Sequence, residues 1–259
     1  MQIHIADFPY YTFSNLARFD GIRHFVTSCR HGDDTDVNLR MPKGADNRRR
    51  LAKSVGFDID RLVTGEQTHS LNIATVTESN AGMGNLDIDS RIPCTDGLIT
   101  NVPDICLMVL TADCVPIIVY DPATHSCGAI HAGWRGTANG IAKVAIERMS
   151  AEFGTKAENI VASIGPCIGT CCFEVGEDVA RHFARQPETI VRKTEWDRPH
   201  IDLTLSNRLQ LIDAGVKCDN IEIAQACTKC NPAEFFSHRH NQTLGRIGTG
   251  IMLKKRLSD

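Results

Sequence analysis

No run in the chain approaches the roughly 18 consecutive apolar residues of a membrane-spanning helix. Its start, MQIHIADFPYY, has no basic segment leading into an apolar core. Neither a membrane span nor a signal peptide is therefore expected. Excess charge is scarce as well: 28 Lys and Arg stand against 31 Asp and Glu, for a net charge of -3. With a pI near 6.4, this argues against a nucleic-acid binder, which needs a basic surface. Internal repeats, low-complexity tracts and linker-like stretches are missing too. The segment SNAGMGNLDIDS, residues 79–90, holds no complete G-x-G-x-x-G and does not join a strand to a helix, so a dinucleotide site is not expected. Residues 166–171 read P-C-x-x-x-C with no H-x-E ahead of them, which removes the zinc nucleobase-deaminase signature.

What is present is an ordinary globular composition, 42% hydrophobic and 23% charged over 259 residues, enough to bury a full core. Strands and helices alternate too evenly for a clean cut, so one α/β domain over residues 1–259 is expected. Eleven cysteines are many, but the number is odd and no export signal accompanies it. Most are expected to be reduced and buried in a cytoplasmic protein, with a few carrying chemistry.

Residues 105–149, ICLMVLTADCVPIIVYDPATHSCGAIHAGWRGTANGIAKVAIERM, organise the rest. Three short apolar runs, residues 105–110, 116–120 and 127–130, are bounded by turn signals and read as buried strands. From Thr137 onward, Ile141, Val144, Ala145, Arg148 and Met149 follow helical spacing. Further strands are expected at residues 2–5, 23–28, 62–64, 72–77, 98–100, 159–164, 221–226 and 248–253. Helices are expected at residues 46–55 with Gly56 as stop, at 174–183, and at 203–214 with Gly215 as stop. Residues 186–200 read as polar and irregular. The run Arg48, Arg49 and Arg50 reads as a solvated helix face, with a phosphate-facing role open to one of the three.

Cys114 and His131 both sit where a strand hands over to a loop, the usual place for a site. Asp113 beside Cys114, and the glycine-rich loop after His131, add an acid and backbone donors. One thiolate with two imidazoles suits Zn²⁺ or Cu, and three protein ligands leave a coordination position for water. A buried Cys beside a core His, or a Cys–His nucleophile pair, fits the same spacing. His69, between two extended segments, is by itself a loop histidine. Cys227-x-x-Cys230 is compatible with a redox motif or with half a zinc ribbon, although there is no second C-x-x-C. Cys167, Cys171 and Cys172 read as packing in a tight turn after Gly165-Pro166.

The segments GEQTHS (65–70), TADCVPIIVYDP (111–122) and GAIHAGWRGT (128–137) resemble the laccase-domain, or YfiH-like, family. DGLIT (96–100), IGPCIGTCCFEVG (164–176), ACT (226–228), FFSHR (235–239) and LGR (244–246) extend the likeness over nearly the whole chain. Two departures are visible. Thr68-His69-Ser70 stands where many members have Val-His-Gly, and HGDD (31–34) replaces a Gly-Gly-x-Ser stretch. The resemblance implies an α/β sandwich with mixed β-sheets flanked by helices, and a zinc site made by His69, Cys114 and His131.

It also implies a purine nucleoside enzyme. Such an enzyme phosphorolyses adenosine, inosine, guanosine or methylthioadenosine and deaminates adenosine, with nucleoside and phosphate as its small-molecule partners. Asp113, and second Asp96, are the candidate proton carriers, and Arg135, Arg239 and Arg246 the candidate phosphate contacts. Trp134 is a candidate purine platform. Arg135 is equally suited to fixing its loop by an ion pair, and Trp134 to packing beneath it. Rival readings are a copper-dependent polyphenol oxidase, although repeated H-x-H pairs are missing, and an amidase editing cell-wall precursors with Cys114 as nucleophile. A zinc-stabilised binding domain is the non-enzymatic alternative.

Overall fold

The computed structural model describes residues 1–4, 6–29, 37–242 and 245–256. HGDD at 31–34, and Leu244 of LGR, lie outside them.

Two six-stranded sheets pack face to face. The first runs in the order Gln2–His4, Tyr10–Thr12, Ile22–Thr27, Ile247–Leu253, Cys106–Thr111, Leu62–Val63. The second runs Ile221–Ile223, Val161–Ile164, Val115–Asp121, Ser126–Ala132, Gly97–Thr100, Ile73–Thr75. Each is mixed: Leu62–Val63 in the first, and both edge strands of the second, pair parallel while the other strands are antiparallel.

The unbroken apolar runs have a simple cause: their strands are covered on both faces. Along Val115–Asp121, Ile118 and Tyr120 point into the core between the sheets with Leu107, Val109, Ala129 and Ile251. Ile117 and Val119 point the other way, into a cluster with Ile141, Ala145, Met149 and Leu211 from the helices Ile141–Phe153 and Leu203–Asp213. Fully burying each such side chain contributes on the order of 1.5–3 kcal/mol. On the far side of the first sheet, the helix Ala45–Val55 packs Leu51, Ala52 and Val55 against Phe25, Leu62, Met108 and Met252. The result is the expected α/β sandwich, with mixed sheets inside and helices outside.

Several local expectations change. The helix expected from Thr137 is two helices, Trp134–Ala138 and Ile141–Phe153, because Gly140 takes φ 89° between them. Its buried face is Ile141, Ala142, Ala145, Ile146 and Met149; Arg148 lies outside and pairs with Glu152. The helix expected from residue 174 begins at Glu177, after Gly176. The stretch 186–200 contains a small ladder, Ile190–Val191 against His200–Ile201. The strand Tyr10–Thr12 was not expected at all.

Arg48 departs from its neighbours in the arginine run. It is 2% exposed and donates to the carbonyls of Leu39, Gly84 and Asn85, while Arg49 stays in solvent with Asp46. No helix among the described residues is long and apolar enough to cross a membrane.

Candidate active site

The T-A-D-C stretch is the place where the chain changes sheets. Cys106–Thr111 belongs to the first sheet and Val115–Asp121 to the second, so Ala112, Asp113 and Cys114 form the crossover. His131 lies on the neighbouring strand Ser126–Ala132, opposite Pro116. Cys114 and His131 are thereby brought close by strand pairing alone.

His69 arrives from a loop whose position is set by side chains. The Gln67 amide donates to the Leu110 carbonyl at 2.7 Å and accepts from the Leu110 amide at 2.9 Å, continuing the sheet edge beyond Val63. Two residues later, His69 adopts φ 62°, a conformation costing about 1–2 kcal/mol for a residue with a Cβ. Asp96 offsets that cost. Its carboxylate accepts from the amides of Thr68, His69 and Ser70 at 3.1, 3.0 and 2.7 Å, and from Ser70 Oγ at 2.7 Å. Hydrogen bonds to a charged acceptor contribute roughly 1.5–3 kcal/mol each.

The same carboxylate accepts from His131 Nδ1 at 2.8 Å, and the Asp96 carbonyl accepts from the His131 amide at 2.7 Å. Asp96 thus holds both imidazoles, and its own burial is nearly complete at 1% exposure. Burial disfavours its charge, but the hydrogen bonds from His131 and Ser70 outweigh it and hold the carboxyl well below the usual range.

With Nδ1 of His131 taken, Nε2 is left for a ligand, and the tautomer is set by its partner. Donor atoms of His69, Cys114 and His131 all lie within 4.8 Å of one another, with Cys114 Sγ 3.7 Å from His69 Nε2. Gly133 makes room for this arrangement. A Cβ there would stand 2.2 Å from His69 Cδ2, so any side chain would displace the ring. Burial tends to raise the Cys114 pKa, yet the charge and hydrogen bonds of His131, followed by those of His69, bring it down to about 6. Burial likewise tends to lower His131, and the Cys114 charge with the Asp96 hydrogen bond raises it to about 9. A thiolate, a buried imidazole oriented by a carboxylate and a second imidazole form a donor set that fits a metal ion.

The triad opens onto a cavity of about 680 Å³ that touches both sheets and the loops beyond them. Among the described residues six arginines line it: Arg40, Arg48, Arg91, Arg135, Arg239 and Arg246. Asp113 is the only carboxylate among its described lining residues. Trp134 and Phe173 supply aromatic faces, with the Arg135 guanidinium 4.3 Å from the Trp134 ring and that of Arg239 5.3 Å from Phe173. Trp134 and Arg135 form the first turn of their short helix, which begins three residues before the expected start.

Asp113 and Asp96 turn out to be committed groups. Asp113 accepts from Thr228 Oγ1 and from the Arg239 amide, both at 2.6 Å, and so ties the 226–239 loops to the crossover. Asp96 sits behind the ligands, outside the cavity lining. His238 is exposed on the cavity wall with no side-chain hydrogen bond among the described residues, and its place in the sequence showed only as part of FFSHR. Arg40 and Arg91 were likewise missed as cavity residues, and Arg48 was left open only as one of three arginines, because their convergence depends on three separate segments.

Residues 33–254 match the model of a family described as multi-copper polyphenol oxidoreductase laccase. The chain belongs to this laccase-domain, YfiH-like family. Among its relatives is a purine nucleoside phosphorylase of Bacteroides thetaiotaomicron, 36% identical over 258 residues that cover 94% of this chain and 96% of that protein. Adenosine deaminase RL5, from an unknown prokaryotic organism, is 37% identical over 228 residues, covering 86% and 84% of the two chains. The crystal structure of YlmD from Geobacillus stearothermophilus shares the fold with a TM-score of 0.89, at 32% identity and 98% coverage of both chains. For a laccase-domain chain, then, a site able to bind metal and a set of nucleoside-processing relatives occur together.

Proposed function

We propose that this laccase-domain protein is a metal-dependent purine nucleoside enzyme, acting as one domain. Its reactions would be phosphorolysis of adenosine, inosine, guanosine and methylthioadenosine, and deamination of adenosine. One observation carries the reading: the His69, Cys114 and His131 triad faces a cavity whose described lining holds six arginines and a single carboxylate. Such a wall suits phosphate, which a phenol oxidase has no need to bind. The names of the two relatives above support both activities.

Arg48, with Arg91, is assigned to the anion. It is buried, with its pKa brought down to about 10 by burial and then by Arg91, and no carboxylate pairs with it among the described residues. A phosphate against Arg48 and Arg91 would compensate that charge. Arg135, Arg239 and Arg246 are assigned to the remaining phosphate and ribose contacts, with Trp134 as the platform for the purine. A Zn²⁺ ion held by His69, Cys114 and His131 would supply Lewis acidity at neutral pH. Asp96 keeps the two imidazoles oriented and Asp113 keeps the cavity rim closed. Proton transfer is assigned to His238, whose exposed imidazole reaches the cavity.

Incubation with adenosine, with and without phosphate, tests the proposal. Adenine that requires phosphate, together with inosine that does not, is the expected result. Absence of both products from fully metallated protein would refute it. The family description favours a copper-dependent phenol oxidase as the second reading. Stoichiometric copper in protein purified without added copper, with rapid phenol turnover, would replace the first reading by that one.

A further inference from the structure

The strands Val161–Ile164 and Ile221–Ile223 are parallel neighbours, so their following loops leave the same end of the second sheet. Pairing continues past the strand ends. The Ala224 amide donates to the Ile164 carbonyl at 2.9 Å, the Cys167 amide to Ala226 at 3.3 Å, and the Thr228 amide to Cys167 at 2.9 Å. This register carries the vicinal pair Cys171-Cys172 up against Cys227-x-x-Cys230.

All four sulfurs lie within 4.8 Å of one another. Cys171 Sγ is 3.7 Å from Cys172 Sγ and 3.6 Å from Cys230 Sγ, and Cys172 Sγ is 3.4 Å from Cys230 Sγ. Four thiolates about 2.3 Å from a central zinc stand at tetrahedral corners roughly 3.8 Å apart, which these separations approach. A disulfide needs about 2.05 Å, and all eleven cysteines are free. A polynuclear iron–sulfur cluster would hold its ligands further apart, since they bind different iron atoms.

A backbone donor adds a second, independent sign. The Gly169 amide donates to Cys227 Sγ at 3.2 Å. Amide hydrogen bonds of this kind are the usual outer support of a metal-bound thiolate. Gly169 fits closely over the group, since a Cβ there would meet Cys227 Cβ at 3.1 Å and Cys171 Sγ at 3.3 Å.

We propose that Cys171, Cys172, Cys227 and Cys230 form a second metal site, a closed tetrathiolate centre that binds one structural Zn²⁺. Its role is mechanical. The loop carrying Cys171 and Cys172 also presents Ile168 and Phe173 to the cavity, and the loop carrying Cys227 and Cys230 presents Thr228 to Asp113. One ion pins these two loops together at the cavity rim and leaves no coordination position for substrate. The proposal does not depend on the nucleoside reading.

Zinc content of anaerobically purified protein, measured by mass spectrometry, tests it. Wild type is expected to hold about two zinc ions per chain, and a His69→Ala, Cys114→Ala, His131→Ala triple variant to keep about one. Cobalt bound by that triple variant is expected to show tetrahedral d–d bands with strong thiolate charge transfer. Cys171→Ser with Cys230→Ser is expected to lose one ion and lower the melting temperature. X-ray absorption at the zinc edge of wild type needs no variant, and a sulfur-dominated first shell is the expected result. A nitrogen-dominated shell, a metal-free triple variant that remains folded, or Cys171 and Cys230 alkylating freely in the purified protein would each overturn the site.

Discussion

The two clusters of metal-capable side chains stand on opposite design terms. His69, Cys114 and His131 are three donors of mixed type, drawn from a loop, a sheet crossover and a strand, and backed by the buried carboxylate of Asp96. The cysteine group is four like donors on two loops of neighbouring strands, backed by the Gly169 amide and facing solvent at Cys171 and Cys230. Three mixed donors above an arginine-lined cavity suit an exchangeable position. Four thiolates suit permanence. What separates them is the support behind the donors: a charged acceptor that sets tautomers in one case, a neutral N–H group that stabilises sulfur in the other.

The largest expected effect comes from removing donors of the first cluster. Cys114→Ala and His131→Ala are each expected to lower both nucleoside activities by about 10³-fold or more, to background. Wild-type-like activity in either variant would break the contrast at once.

Asp96→Asn tests the supporting carboxylate. The amide replaces an anion that accepts from three backbone N–H groups and from His131. A loss of about 3 kcal/mol in unfolding free energy is expected, with metal affinity weakened roughly 10–100-fold. Because the folded-state pKa of Asp96 is depressed, its contribution is present above the ordinary carboxylate pKa and is lost as pH falls towards the depressed value. The stability difference between wild type and variant should therefore shrink in acid; urea unfolding at graded pH measures it.

Gly133→Ala isolates ring placement. The new methyl would occupy the space of His69 Cδ2, so metal affinity should fall about tenfold while the circular dichroism spectrum is unchanged. A competitive chelator titration reads this.

The pH prediction is gentler. In metal-stripped protein, Cys114 should alkylate with a midpoint near pH 6, faster above it as thiolate and slower below it as thiol. His131, raised to about 9, contributes stability that is complete below its ordinary pKa and lost as pH rises through about 9. An alkylation midpoint at the ordinary thiol pKa would show that His131 and His69 do not hold Cys114 as a thiolate.

Smallest of all is Arg49→Ala, which removes only the exposed contact with Asp46 and should change stability by less than about 0.5 kcal/mol. Arg48→Ala, one residue away, should abolish phosphate dependence at ordinary phosphate concentrations.

Strands such as Val115–Asp121 were legible because burial on both faces leaves no polar residue to interrupt the run. The triad was legible through family motifs; spacing alone left Cys114 and His131 with competing readings. The tetrathiol group was not legible. Its halves lie far apart in the chain, and the partner of the C-x-x-C is a vicinal pair, so only the parallel pairing of two short strands reveals it. Arg48 was hidden in a charged run, since sequence shows a guanidinium but not the carbonyls that converge on it. Asp96 was read as a proton carrier for the same reason. Its acidity is visible in the sequence, whereas the amides that occupy it come from the fold.

The Gln67 side chain borrows a rung of the first sheet's ladder at Leu110, while His131 rides on the second sheet. Asp96 closes the span between them, since one carboxylate accepts from the His69 amide and from His131 Nδ1. A loop pinned to one sheet and a strand of the other are thus gauged against a single buried side chain, and the spacing of the two rings is set by the reach of one carboxylate.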